Sequence, residues 1–266
     1  MKTYYYAHTG HRIGLDRFRR AVAILNELDG DITLLTSDYR IAQVARDFGI
    51  EKSVGLDVVR NIPQIAHNGD RLIFDSDEAN PVMLEDMKQY FSTFVHIKND
   101  TVAIEPKFFK AKSKEKQVKI SYFFGDDDYE KDLEKHFDFI EDLTPSLQLG
   151  FYYFLDYEDM LKKKFVNHFE FEEYDEMIMS SEILITCSPQ AALDSLASGG
   201  RPIYAQREDY CEDYNELFEE LAIPIIKNYD KNHLNVIIET INAIKYVEPT
   251  QKTEKTVEFI KDSLGL

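Results

Sequence analysis

Four short segments gather the side chains that could do chemistry. The first, His8-Thr9-Gly10-His11-Arg12-Ile13-Gly14-Leu15-Asp16-Arg17-Phe18-Arg19-Arg20, puts two imidazoles, four guanidiniums and two glycines directly behind a β-prone run. An imidazole is suited to general-base work near neutral pH, a guanidinium pairs with a phosphate through two parallel hydrogen bonds, and glycine lets backbone approach a ligand closely. The plain alternative is a solvated loop whose histidines do nothing. The other three segments are Asp75-Ser76-Asp77-Glu78, Gly125-Asp126-Asp127-Asp128 and the stretch from Cys187 to Asp194. Each follows an apolar run, as binding loops do at the carboxyl ends of strands in open α/β sheets.

The elements that must position these loops follow from periodicity. Lys2–Ala7, Ile32–Thr36, Arg71–Phe74 and Phe94–Ile97 read as strands. Phe18, Ala21, Val22, Leu25 and Leu28 recur at helical spacing with Asp16 placed to cap, and Tyr39–Phe48 closed by Gly49 and Pro81–Tyr90 read as further helices. The pattern restarts with strands at Val118–Phe124, Leu149–Phe154, Ile183–Thr186 and Arg201–Ala205. Ser188 caps a helix with Pro189 in its first turn and Gly199-Gly200 past its end, and helices at His233–Tyr246 and Thr253–Ser263 finish the chain. Strand–helix alternation predicts an α/β protein with parallel sheets.

Length and charge divide the chain. It has 266 residues, 44% apolar and 30% charged, enough for two small cores. Through Lys112 the charges nearly cancel, 15 Lys and Arg against 16 Asp and Glu; the remainder carries 16 against 33. The basic stretch Lys107–Lys119 reads as a linker, with a polyanion-binding segment as the alternative. The expected domains are therefore 1–112 and 113–266, two Rossmann-like lobes facing one another across a cleft, with the last helix able to pack back on the first lobe. A net charge of −18 repels nucleic acid and anionic membrane. No apolar run is long enough to span a bilayer, and the N-terminus lacks a signal peptide's apolar core. Cys187 and Cys211 are read as free thiols of a cytoplasmic protein.

In their order, these segments resemble the motifs of GT-B-fold sugar enzymes. His11–Arg20 resembles the opening motif His-x-x-Gly-x-Gly-His-x-x-Arg. Leu72–Asp75 is similar to a later strand of the first lobe, and Phe124–Asp128 sits where the UDP-sugar hydrolase of the pseudaminic acid pathway has a Gly-Gly-x-Asp loop. Ser180–Ser188 with Ala192–Ile203 is similar to the donor-binding strand–helix–strand of GT-B transferases. That hydrolase and a set of predicted bacterial glycosyltransferases are the relatives suggested.

The resemblance implies a GT-B-like enzyme of bacterial surface-glycan biosynthesis that acts on a nucleotide-activated sugar, such as a UDP-sugar, by transfer or hydrolysis. The acceptor would be water, a glycan or a lipid-linked sugar. Where the hydrolase family has Gly-His, this chain has Asp16-Arg17, and a guanidinium stays protonated. The base then falls to His11, with His8 second, and Arg17 becomes the diphosphate clamp. Gly14, Arg20, Asp75 and Gly125 would meet substrate from the loops; Ser188, Gln190, Asp194 and Arg207 would bind the nucleotide, Asp194 in place of a ribose-binding Glu. No cofactor is implied. A Mg²⁺ or Mn²⁺ bridge over Asp126–Asp128 is less favoured than an acidic helix start. A binding protein of the same fold without catalysis, and an unrelated two-lobed metabolite binder, are the alternatives. No Gly-x-Ser-x-Gly, P-loop or His-Glu-x-x-His occurs, which removes local support for serine hydrolase, P-loop kinase and zincin chemistry.

Overall fold

The computed structural model describes residues 1–210 and 212–266, so the reading of Cys211 lies outside the described residues. The chain divides into two compact units, Met1–Glu105 with Gln251–Leu266, and Pro106–Thr250. The second unit holds 16 Lys and Arg against 30 Asp and Glu, a net of −14.

In the first unit, β1 (Thr3–Ala7), α1 (Asp16–Leu25), β2 (Ile32–Thr36), α2 (Tyr39–Val44), β3 (Ser53–Gly55), β4 (Arg71–Asp75), α3 (Pro81–Tyr90) and β5 (Thr93–His96) follow in order. The five strands form one parallel sheet, ordered β3-β2-β1-β4-β5. Tyr4, Tyr5, Tyr6 and Ala7 are all buried, as expected for a central parallel strand covered on both faces. Tyr4 and Tyr6 join Leu35, Leu72, Phe74 and Met87 in one core cluster. Asp16 is the first residue of α1 rather than its cap. Leu15 takes the cap position without a capping side chain, and Asp16 places its charge in the first turn, where the helix dipole favours it.

The second unit opens with α4 (Pro106–Ala111), where the sequence reading placed a linker. Phe108 and Ala111 are buried, and α4 packs on two helices described below, which gives the start of the basic stretch an apolar face to fold on. Then come β6 (Val118–Phe123), α5 (Phe137–Ile140), β7 (Ser146–Gln148), α6 (Leu155–Lys164), β8 (His168–Phe169), α7 (Tyr174–Ser180), β9 (Ser181–Thr186), α8 (Pro189–Ala197), β10 (Arg201–Ala205), α9 (Asn215–Glu220), β11 (Ile225–Ile226) and α10 (Lys231–Thr240). The last helix, α11 (Thr250–Leu264), lies almost wholly in the first unit. The strand expected at Leu149–Phe154 falls earlier, at β7. Tyr152 and Tyr153 are buried in the loop that follows, and the Tyr153 hydroxyl donates to the Gly125 carbonyl (3.0 Å) instead of extending a ladder.

The second sheet is also parallel, ordered β11-β10-β9-β6-β7-β8. Every residue of α8 is buried, since it packs on β9 and β10 on one side and on α4 and α7 on the other. Gly199 ends it with φ +79°, where an added Cβ would sit 2.9 Å from the Lys112 carbonyl oxygen. In both sheets the order of strands reverses at one place, between β1 and β4 and between β6 and β9. Such switch points leave a crevice at the strands' carboxyl ends. No helix among the described residues is long and apolar enough to cross a membrane.

Candidate functional site

At the first switch point, β1 and β4 run in register with Ala7 opposite Asp75, and the backbone N–H of His8 donates to the Asp75 carbonyl (3.0 Å). The strands' next residues therefore emerge side by side. Nδ1 of His8 lies 3.2 Å from Oδ1 of Asp77, and Nε2 lies 3.7 Å from Oε2 of Glu78. Glu78 is held in turn by the Tyr6 hydroxyl (2.5 Å) and by Ser76 Oγ (3.1 Å). The hydrogen bond from His8 is the main influence holding the Asp77 carboxyl far below the usual carboxylate range. Arg17 adds to it against the cost of burial. Asp77 is thus a permanent anion beside a half-buried imidazole.

Arg17 comes from the first turn of α1. Its Nη2 sits 3.1 Å from Asp77 Oδ2 and 3.1 Å from Asn99 Oδ1, and its Nε 3.7 Å from Asp75. These contacts make it the support of Asp77 rather than an open clamp. Arg20, one turn on, is 2% exposed and forked onto Asp75 (Nε–Oδ2 2.9 Å, Nη2–Oδ1 2.6 Å), while its Nη1 donates to the carbonyls of Asn99 and Thr101. The Tyr5 hydroxyl also donates to Asp75 (2.9 Å), and burial with that carboxylate pushes the phenol well up. Arg20 and Asp75 are bound to each other beneath the loop. Gly14, with φ +76°, closes a small bridge with Gly10, and His11 at its tip is exposed.

At the second switch point, the three carboxylates after β6 each have an internal task. Asp126 accepts from the Phe151 N–H (3.2 Å). Asp127 accepts from Arg207 Nη1 (3.0 Å) and the Tyr210 hydroxyl (3.2 Å). Asp128 accepts from the N–H groups of Asp132 (2.6 Å) and Leu133 (3.2 Å) and from the Tyr157 hydroxyl (2.5 Å), starting the 3₁₀ turn at Asp132–His136. Burial raises the Asp128 carboxyl despite these bonds. Gly125 is required here: its φ is +132°, and a Cβ would lie 2.8 Å from Asp127 Oδ1. Arg207 is stacked between Phe124 (4.6 Å) and Tyr210 (4.5 Å) and also paired with Asp209; burial opposes its charge and the two carboxylates outweigh it. Among the described residues no cluster of three or more His, Cys, Asp or Glu is arranged to hold a metal ion.

Ser188 caps α8, its Oγ accepting from the Ala191 N–H (3.1 Å). Asp194 lies in the middle of that helix, 2% exposed, one oxygen accepting from Gln190 Nε2 (2.9 Å) and the other from the Tyr174 hydroxyl (2.8 Å). Gln190 and Asp194 are brought together, but inside the unit. Thus the structure joins His8, Arg17, Arg20 and Asp75 at one switch point, and Gly125 with Arg207 at the other; His11 is exposed between Gly10 and Gly14. Sequence reading marked the Asp75–Glu78 segment without singling out Asp77. The residue-by-residue register of β1 and β4, unavailable from either strand alone, carries that signal.

The chain matches no protein-family model and no curated protein. Solved structures share its fold at low identity. A UDP-GlcNAc 2-epimerase of Methanocaldococcus jannaschii, in complex with UDP-GlcNAc and UDP, aligns with a TM-score of 0.58 and 10% identity over 100% of both chains. A glycosyltransferase of Rickettsia africae aligns at 0.55 and 8%, covering 99% of this chain and 98% of its own. MurG of Acinetobacter baumannii aligns at 0.53 and 10%, over 98% and 100%. The class defined by fold is therefore an α/β protein of two Rossmann-like lobes, GT-B-like.

Proposed function

We propose that the protein is an enzyme acting on a nucleotide-activated sugar, with His8 as general base oriented by Asp77. The His8–Asp77 pair at the first switch point carries this reading, and the fold shared with a UDP-GlcNAc 2-epimerase and with glycosyltransferases supports the substrate class. With Nδ1–H donating to Asp77, Nε2 keeps its lone pair and takes the proton of a hydroxyl or of water. The oxygen attacks the anomeric carbon, the bond from that carbon to the phosphate oxygen breaks, and the nucleotide leaves with the electron pair. A well-placed base contributes about 10²- to 10⁴-fold. Transfer to a glycan or lipid-linked acceptor and hydrolysis, as in the pseudaminic acid pathway enzyme the sequence resembles, differ only in which oxygen attacks. A role in bacterial surface-glycan synthesis belongs to the same proposal.

One observation favours a second reading, a binding protein of this fold without turnover. Asp194 and the three carboxylates of Asp126–Asp128 are all committed to partners inside the second unit. A thermal-shift series with UDP, GDP, TDP and CMP and their sugars decides whether a nucleotide binds at all. A ligand at a hundred times its Kd adds about 2.7 kcal/mol. A shift with one nucleotide family supports the proposal, and no shift with any overturns both readings.

A further inference from the structure

His8 stands between two carboxylates, and only one of them can hold the single proton of its neutral ring. Asp77 Oδ1 is at hydrogen-bond distance from Nδ1 (3.2 Å), while Glu78 Oε2 stands 3.7 Å from Nε2. In a neutral imidazole one nitrogen donates and the other accepts, and the acceptor that takes the proton decides which. An idle Glu78 would compete with Asp77 for that proton and take the Nε2 lone pair out of use.

Glu78 is not idle. Its Oε2, the oxygen facing His8, accepts from the Tyr6 hydroxyl (2.5 Å) and from Ser76 Oγ (3.1 Å). A carboxylate oxygen offers two lone pairs, and both are taken. Ser76 Oγ also accepts from the Glu78 N–H (3.1 Å), which ties the backbone under that carboxylate to the same turn. Tyr6 has no freedom to swing away. It is fully buried on β1, with its ring stacked on Phe74 (5.5 Å between centroids, 11° between planes). Burial, and then the bond to Glu78, push its phenol well up, so the hydroxyl keeps its proton and donates it to the carboxylate. With His8 read as the general base, the reading on which this rests, we propose that Tyr6 is a positioning residue: by occupying Glu78 Oε2 it withholds that carboxylate from Nε2 and assigns the ring proton of His8 to Nδ1 and Asp77. Tyr6 acts through Glu78 and touches no substrate.

The test is nitrogen NMR of the whole chain isotopically labelled at histidine, with the His8 signals assigned by their loss in His8→Ala. Couplings to the ring protons show which nitrogen of the neutral ring carries the proton. In the parent it should be Nδ1. Tyr6→Phe keeps the ring and its packing but frees one lone pair of Oε2. The proton should then move to Nε2, and kcat for nucleotide release should fall about threefold to tenfold with KM unchanged. Ser76→Ala frees the other lone pair and should move the proton the same way, which decides the matter if Tyr6→Phe does not fold. Tyr6→Phe combined with Glu78→Gln, where the freed competitor has lost its charge, should return the proton to Nδ1. A proton that stays on Nδ1 in Tyr6→Phe overturns the role of Tyr6 and leaves His8 as base; a parent with its proton on Nε2 overturns both. The tautomer is read without turnover, so a parent that releases no nucleotide removes the base reading while the spectra still decide what Tyr6 does.

Discussion

Nδ1 of His8 lies 3.2 Å from Oδ1 of Asp77, across the boundary between β1 and β4 where the order of the first sheet reverses. Neither residue belongs to a strand; each leaves the end of one, and the parallel register of Ala7 with Asp75 brings them together. Carboxylates flank both ring nitrogens, Asp77 at Nδ1 and Glu78 at Nε2, and the proposed base requires the proton on Nδ1.

In the proposed site, Arg17 acts through Asp77. Its guanidinium holds the outer oxygen of that carboxylate at 3.1 Å. Asp77→Asn should keep nucleotide affinity and lower kcat about tenfold to a hundredfold, because the imidazole loses its preferred tautomer. Arg17→Lys should show the same pattern in weaker form. A fall in affinity with kcat preserved would instead make Arg17 the phosphate clamp that the sequence suggests.

Arg20 and Asp75 are a stability pair. Both side chains are about 1–2% exposed and they share a two-bonded contact. Arg20→Ala should destabilise the first unit by about 3–5 kcal/mol, since it leaves a buried carboxylate without its counter-charge. The double replacement Arg20→Met with Asp75→Leu should cost less than the sum of the single changes. Denaturant unfolding of the parent, Arg20→Met, Asp75→Leu and the double variant measures the difference, and of Arg20→Ala the cost of the lost counter-charge.

Much of the fold is legible in the sequence. The helix Pro81–Tyr90 is bounded by Asn80 and by Pro81 in its first turn, and the run Ser188-Pro189 to Gly199 carries its own start and stop. Those signals are local, so they read directly. What does not read is decided by packing at a distance. Leu149–Phe154 has a strand's composition, yet Tyr153 is claimed by the Gly125 loop, and Pro106–Ala111, at the head of the basic stretch, folds because α7 and α8 offer it a surface. At the site, residue type singled out His8 and His11 together. Only the neighbouring strand distinguishes them, by supplying Asp77 to one and leaving the other exposed.

Asp194 tests how far the transferase resemblance carries into the second unit. With both oxygens bound by Tyr174 and Gln190, its first role is to tie α7 to α8. Tyr174→Phe should cost about 1.5–3 kcal/mol, the value of a hydrogen bond to a buried charge. It should leave nucleotide affinity unchanged in a thermal-shift titration. A loss of affinity without a loss of stability would return Asp194 to the ribose.

Cys187 gives a pH-dependent signature. It is fully buried, touching the hydroxyls of Tyr122 and Tyr229, and burial pushes its thiol up to about 12 from an ordinary value of 9.0. Folding keeps the proton that the unfolded chain releases, so this contribution is whole below pH 9 and is lost as pH rises from about 9 to 12. Cys187→Ala should lack that part of the alkaline slope when compared with the parent by denaturant unfolding. In the native parent at pH 8, the peptide containing Cys187 should stay unalkylated by iodoacetamide.

The most direct measurement is release of free nucleotide from UDP-, GDP- and TDP-sugars, offered with water alone and with glycan acceptors, by the parent protein, His8→Ala and His11→Ala. Release should occur with one nucleotide family, fall by about 10²-fold or more in His8→Ala, and persist in His11→Ala. Equal release by the parent and His8→Ala, or no release from any donor, would contradict the assignment of His8 and Asp77 as the working pair.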